Sequence, residues 1–261
     1  MKRAALFTSV LAVVVFSFSP LVAQVSQDGM HAPSGGTQTR VISIAVPPLP
    51  NAPFTATVTT TWVRALADGS TLTIQNHRTI ARDNSGRVFQ ERRNLYPAGD
   101  PSEDRIRQLE FGDPGAHVIY LCQPDARTCE ERSYFVSTAP APLIPAGMLD
   151  NGRIFLTRID LGRDTVSGVE TVGTRETRTI SPGTIGNDRA IAIVKEFWFS
   201  PQLGINVIEK REDPRVGTQT FTVDPISLGE PDARLFDIPP DYRVVDQRHP
   251  SPAKDAGAGA N

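Results

Sequence analysis

The sequence predicts a mainly β protein made of antiparallel strands, and three observations carry that expectation. Apolar segments are short, β-branched and often alternate with polar residues, as in PFTATVTTTWVRAL. Proline and glycine, 22 and 20 of 261 residues, break the chain at short intervals and leave little room for long helices. Asp68-Gly69 and Ser85-Gly86 supply the positive φ that tight hairpin turns demand.

The termini read differently. MKRAALFTSVLAVVVFSFSPLVAQ opens with Lys2 and Arg3, runs apolar from Ala4 to Phe18 and reaches the small Ala23, the pattern of a secretory signal peptide over residues 1–23 cleaved after Ala23. Its apolar core is shorter than the roughly 18 to 20 residues of a spanning helix, no later segment reaches that length, and no cysteine follows to carry a lipid anchor. The mature chain is therefore expected to be exported, either periplasmic or secreted, and not membrane-spanning. By composition, residues 24–40 form a flexible lead-in, 41–246 an antiparallel β domain and 247–261 a disordered tail.

The full chain has 27 Lys plus Arg against 29 Asp plus Glu, a net charge of −2. Residues 1–23 hold two of those cations and no carboxylate, so the mature balance is 25 against 29, or about −4, which disfavours nucleic acid as a partner. Lys195, Lys210 and Lys254 are the mature chain's lysines, and the rest of its positive charge is arginine. Compositional bias accounts for that as well as anion binding does.

Along the chain, PFTATVTTTWVRAL and STLTIQNHRTIARD make the first hairpin, followed by RVFQERRNL. In the second of these strands Leu72, Ile74, Asn76 and Arg78 alternate with Thr71, Thr73, Gln75 and His77, so one face starts apolar and the other is wet. PSEDRIRQLEF suits either a short helix capped by Ser102 or an edge strand. HVIYL and RSYFV bracket the two cysteines, and the prolines of STAPAPLIPAGML make it a crossing loop. The later strands are RIFLTRIDL, TVSGVETVGTRETRTI, AIAIVKEFWFS, INVIEKRED and TQTFTVDPI. Within GTRETRTISPGTIGND, Ser181-Pro182-Gly183 fits a type II turn and Gly186-Asn187-Asp188 a second bend. Arg175, Glu176 and Arg178 are read there as charges decorating a strand in weak cross-strand pairs, with an arginine-bearing recognition patch as the alternative.

Cys122 and Cys129 flank a six-residue connection, and export would place them in an oxidising compartment, so a hairpin disulfide is expected. Its small ring is worth about 2.5 kcal/mol of chain entropy. The spacing fits a structural staple better than a redox pair or a metal site.

Catalytic motifs are sparse. The Ser-Gly contexts, Ser85-Gly86 and Ser167-Gly168, lie in hairpin-like surroundings rather than in a nucleophile elbow. His31, His77, His117 and His249 are single and widely spaced, which disfavours zinc, and no glycine-rich phosphate loop opens a helix. No metal and no cofactor are expected. Asp100, Glu103, Asp104, Glu130, Glu131, Asp160 and Glu196 are formally available as a carboxylate pair for glycoside hydrolysis, but sequence does not place two of them across a cleft. What remains is aromatic material on strands: in EFWFS, Phe197 and Phe199 face one side and Trp198 the other. Core packing and a greasy ligand cavity both account for it.

The run KEFWFSPQLGINVIEKREDPRVGTQTFTVDPISLGEPDARLFDIPPDYRV resembles the C-terminal half of the outer-membrane lipoprotein carrier (LolA/RseB-like) superfamily, which includes a periplasmic lipoprotein carrier and a sensor restraining an envelope-stress protease. Together with GVETVGTRETRTISPGTIGND and DNSGRVFQERR it also resembles a group of exported acidobacterial proteins, a likeness that brings no activity with it. The long N-terminal helix of the carriers has no counterpart in residues 24–40. The resemblance implies one antiparallel sheet curled into an incomplete barrel with few short helices. Its concave face would hold an acyl chain or a partner segment, lined by residues around Trp62, Ile74, Phe155, Ile193 and Trp198. It further implies a non-catalytic binding, carrier or sensor protein whose partner is a lipid, a lipoprotein or another envelope protein. A secreted hydrolase of envelope polymers and a structural envelope-assembly module are the alternatives.

Overall fold

Alternating sequence becomes alternating burial along the first strand, β1 (Phe54–Ala65), where Phe54, Ala56, Val58 and Thr60 are buried and the threonines between them are not. The computed structural model describes residues 44–134 and 144–248. The signal peptide, the lead-in, residues 249–261 of the tail and residues 137–143 of the proline-rich crossing loop lie outside them; the end of that loop, Gly147–Leu149, is a short paired strand rather than loop. After β1 come β2 (Thr71–Arg82), β3 (Val88–Arg93), β4 (Ile106–Asp113), β5 (Val118–Gln123), β6 (Thr128–Ser133) and β7 (Gly147–Leu149). The second half holds β8 (Ile154–Val166), β9 (Val169–Ile180), β10 (Ile191–Ser200), β11 (Ile205–Asp213), β12 (Gly217–Leu228) and β13 (Arg243–Asp246). All thirteen share one sheet in the order β13-β6-β5-β4-β3-β2-β1-β12-β11-β10-β9-β8-β7. The sheet is open and curled, and its only helices among the described residues are short 3₁₀ turns.

Two meanders therefore meet where β1 pairs β12, and apart from the β13–β6 edge every other neighbour along them is a sequence neighbour. The segment PSEDRIRQLEF resolves to turns followed by strand β4, so its helical alternative is not taken. TVSGVETVGTRETRTI is two strands rather than one, because Ser167 (φ 51°) and Gly168 (φ 80°) form a two-residue hairpin turn inside it. The sheet departs from pure antiparallel pairing at that one edge, where β13 returns from the C-terminal segment to run parallel to β6. At the β9–β10 corner Gly183 takes φ 78°, Thr184 N–H donates to the Ser181 carbonyl at 3.3 Å, and the Asn187 amide donates to the carbonyls of Ser181 and Arg189.

Each face of this sheet has its own core. The inner face packs Phe54, Ala56, Val58, Ile80, Val88, Ile205, Val207, Phe221 and Val223 under Ile44, Val46 and Leu203. On the other wing the outer face packs Ala81, Phe89, Phe111, Cys122 and Cys129 under Phe236, with Leu235, Ile238 and Tyr242 around it. Cys122 and Cys129 form a disulfide directly across the β5–β6 pair.

Arg82 closes the packed end. Its side chain is fully buried, and its guanidinium donates to the carbonyls of Pro47 (2.9 Å), Ala52 (2.9 and 2.7 Å) and Leu203 (2.6 Å) while stacking on the Phe54 ring at 5.0 Å. Burial lowers its pKa to about 10, which leaves it charged at neutral pH. Arg82→Met would strand three carbonyls without donors at about 1 kcal/mol or more each, so we expect a loss of about 3 kcal/mol or more in urea denaturation. A loss below about 1 kcal/mol would contradict this role.

Candidate functional site

Because antiparallel partners in register share a face, the pairings assign every strand residue to the inner or outer side. Ile74 pairs with Trp62, and Trp62 with Gln219, on the inner face. From Gln219 the row continues through Arg211, Lys195 and Glu176 to Arg158. The adjacent row away from the packed core carries Arg64, Gly217, Asp213, Ile193, Arg178 and Leu156 by the same alternation. Trp62, Ile74 and Ile193 thus share the inner face. Phe155 and Trp198 occupy the outer one: Phe155 pairs with Met148 at the β7 edge and is 43% exposed, and Trp198 pairs with Gly173 and Ile208.

Beyond the packed end the inner face mixes apolar side chains such as Ile193 and Leu156 with charged ones. Across β8–β11 it carries buried charge, with Glu176 1%, Lys195 4%, Glu209 0% and Arg211 5% exposed. Arg158 holds Glu176 through Nε at 2.7 Å, Asn206 donates to Glu209 at 2.6 Å, and Arg211 and Arg215 both bond Asp213 at 2.5 and 2.8 Å. The Arg215 hydrogen bonds, with smaller help from Arg211, hold the Asp213 carboxyl below its usual range despite burial. Burial pushes Lys195 down to about 8, opposed by the Glu176 carboxylate beside it, and pushes Arg78 down to about 9. Buried polar atoms with no hydrogen-bond partner among the described residues include Arg178 Nε, Gln219 Oε1 and Asn76 Oδ1. Buried polar atoms ordinarily find a hydrogen-bond partner, so these three stand out on this face.

At the open end Trp62 is fixed by its indole N–H to the Val216 carbonyl (2.8 Å) and by Arg64, 5.7 Å over its ring. A groove of about 510 Å³ at the sheet's edge runs between the ends of β1 and β11, the start of β10 and the starts of β2 and β12; Arg64 and Asp213 reach it from the inner rows, and Val63, Val194, Glu212 and Thr218 from the outer side. The carboxylates considered for hydrolysis are engaged by neighbouring groups. Glu103 accepts from Gln75 and Gly99, Glu130 pairs with Arg132, Glu131 with Arg248 and Glu196 with Arg175. No group of His, Cys, Asp and Glu with metal-binding geometry occurs among the described residues.

Sequence reasoning placed Glu176 on a decorated surface and missed Lys195, Glu209 and Arg211 altogether. The signal was available in the phase of the alternation. Lys195 shares parity with the buried Ile193 and Phe197, and Glu209 and Arg211 share it with Val207.

No family model and no curated protein matches the chain. Among solved structures, it is similar to an uncharacterized conserved protein from Thermus thermophilus (9% identity, 76% of this chain and 91% of that one, TM-score 0.40). It is also similar to MucB of Pseudomonas aeruginosa, solved with MucA (13%, 74% and 58%, TM-score 0.30), and to a LolA superfamily protein from Nitrosomonas europaea (9%, 72% and 91%, TM-score 0.27). These likenesses are loose, and the functional reading rests on this chain's own residues.

Lys195 offers a direct test of the buried charge. Its pKa is lower in the fold than in the unfolded chain, so between about pH 8 and 10 the unfolded state binds more protons and stability rises with pH. Wild type should gain stability relative to Lys195→Met over that interval, read from urea denaturation at each pH. Parallel profiles would show that Lys195 is solvated.

Proposed function

We propose that this chain is an exported binding or carrier protein of the cell envelope, without catalysis, whose inner sheet face holds an amphiphile such as a lipid or the acylated segment of a lipoprotein. The observation that carries the reading is a border on one continuous face, where Ile74 and Trp62 adjoin Gln219, Arg211 and Lys195. An acyl chain would lie against the first pair, where burial is worth about 25 cal/mol per Å² of apolar area. A polar head would meet the buried donors and acceptors of the second group, including the unmatched Gln219 Oε1. The signal-like N-terminus and the resemblance to exported acidobacterial proteins and lipoprotein carriers support the same compartment.

One observation favours a second reading. The apolar end of the inner face is filled by the protein's own Ile44, Val46 and Leu203, as a structural envelope module would have it. Titration of the mature protein with a fluorescent long-chain fatty acid separates the two. The carrier reading expects saturable binding, displaced by unlabelled acyl chains and weakened about fivefold or more by Trp62→Ala, roughly 1 kcal/mol. Phe155→Ala, on the outer face, should leave it unchanged. Absence of saturable binding, or equal binding by Trp62→Ala, would leave the structural module as the better account.

A further inference from the structure

The outer face of β9–β11 carries a second arrangement, independent of the inner-face reading. Trp198 lies there rather than in a core. Its ring covers Gly173 on the neighbouring strand so closely that a Cβ at that position would come within 2.8 Å of the indole. Glycine leaves room for the Cζ3–Cη2 edge of the ring and for Leu161 Cβ, which both crowd this position, and the indole stays half-buried on the outer face. The indole N–H donates to Glu196 Oε1 at 3.0 Å, which fixes the ring beside a groove of about 260 Å³ lined by Arg175, Val194, Glu196, Lys210 and Glu212.

The charged groups of the groove are balanced, with apolar surface between them. Arg175 pairs with Glu196 at 2.8 Å and Lys210 with Glu212 at 2.5 Å, so each cation has its carboxylate. Hydrogen bonds from Arg175 and Trp198 hold Glu196 ionised despite its partial burial. Beyond Lys210 and Ile208 the same face continues into hydroxyls, with Thr220 and Thr222 on β12 paired to Thr61 and Thr59 on β1. A phosphate or acidic polymer would meet Glu196 and Glu212, and an acyl chain would have to desolvate four charges. A sugar ring fits these groups better. Its C–H face stacks on an indole, and its hydroxyls donate to carboxylates while accepting from guanidinium and ammonium groups.

We infer that the outer face from Trp198 across the Arg175–Lys210 groove to the threonine rows of β12 and β1 is a docking platform for a neutral polysaccharide. In the cell envelope such a platform would tether the protein to a glycan while its inner face stays free.

The test is affinity electrophoresis and calorimetry of the mature chain with a hexamer of N-acetylglucosamine, a neutral glucan and polygalacturonate as the acidic comparator. The proposal expects binding to at least one neutral glycan, little affected by added salt, and reduced on the order of tenfold by Trp198→Ala. Lys210→Ala and Glu212→Gln, both at partly exposed side chains, should weaken it several-fold without loss of folding, so the outcome does not hang on Trp198 alone. The proposal is overturned if no neutral glycan binds, if polygalacturonate binds more tightly than the neutral chains, or if the folded variants bind as well as wild type. Fatty-acid uptake should be the same in Lys210→Ala as in wild type, which keeps this result separate from the inner-face reading.

Discussion

Arg82 is the point at which a long curled sheet acquires a closed end. Its guanidinium is planar and presents its donors in a fixed fork, which here spans three backbone carbonyls from two separate segments, residues 44–52 and the β10–β11 turn. Removing those carbonyls from water without a donor would be unfavourable; with Arg82 in place, Ile44, Val46 and Leu203 can settle on Phe54, Ile80 and Val223. A lysine could not reach all three carbonyls at once. The packed core thus depends on a charge held by backbone carbonyls, and everything beyond it on the inner face is free to be polar.

Strand alternation then divides the molecule into chemically different surfaces. One parity of β9, β10 and β11 places Glu176, Lys195, Glu209 and Arg211 inside, and the other places Arg175, Glu196, Lys210 and Glu212 outside. The inner set is buried and adjoins Trp62 and Ile74 through Gln219. The outer set is paired, more exposed and adjoins Trp198. A one-residue slip of β10 would exchange the two, putting Trp198 inside and Lys195 out. The register is held by the hairpin turns on either side, among them the Ser181–Asn187 corner with its αL Gly183.

Much of this architecture was legible in the sequence, because strands with a period of two and Gly-bearing turns are local properties. The β1–β2 hairpin, the Cys122–Cys129 staple and the Ser181-Pro182-Gly183 corner all stand where local chemistry put them. The parallel return of β13 was not legible, since it depends on a long connection that packs Phe236 over Phe89 and Phe111 before the strand begins. Nor was the inside of the sheet. Alternation gives two faces for EFWFS, with aromatics on both, and only the curl decides that Phe197 is buried and Trp198 lies outside. The same curl turns Glu176 and Lys195 from apparent surface charges into interior ones.

On the proposed reading the inner face is a receptacle and not merely a polar core. Native mass spectrometry of the protein released gently from its own cells tests it most directly. A receptacle should give a population heavier than the mature chain by the mass of one amphiphile, which dissociates intact on activation and is depleted in Trp62→Ala. A single species at the bare mass, unchanged after incubation with the cell's own lipid extract, would contradict it.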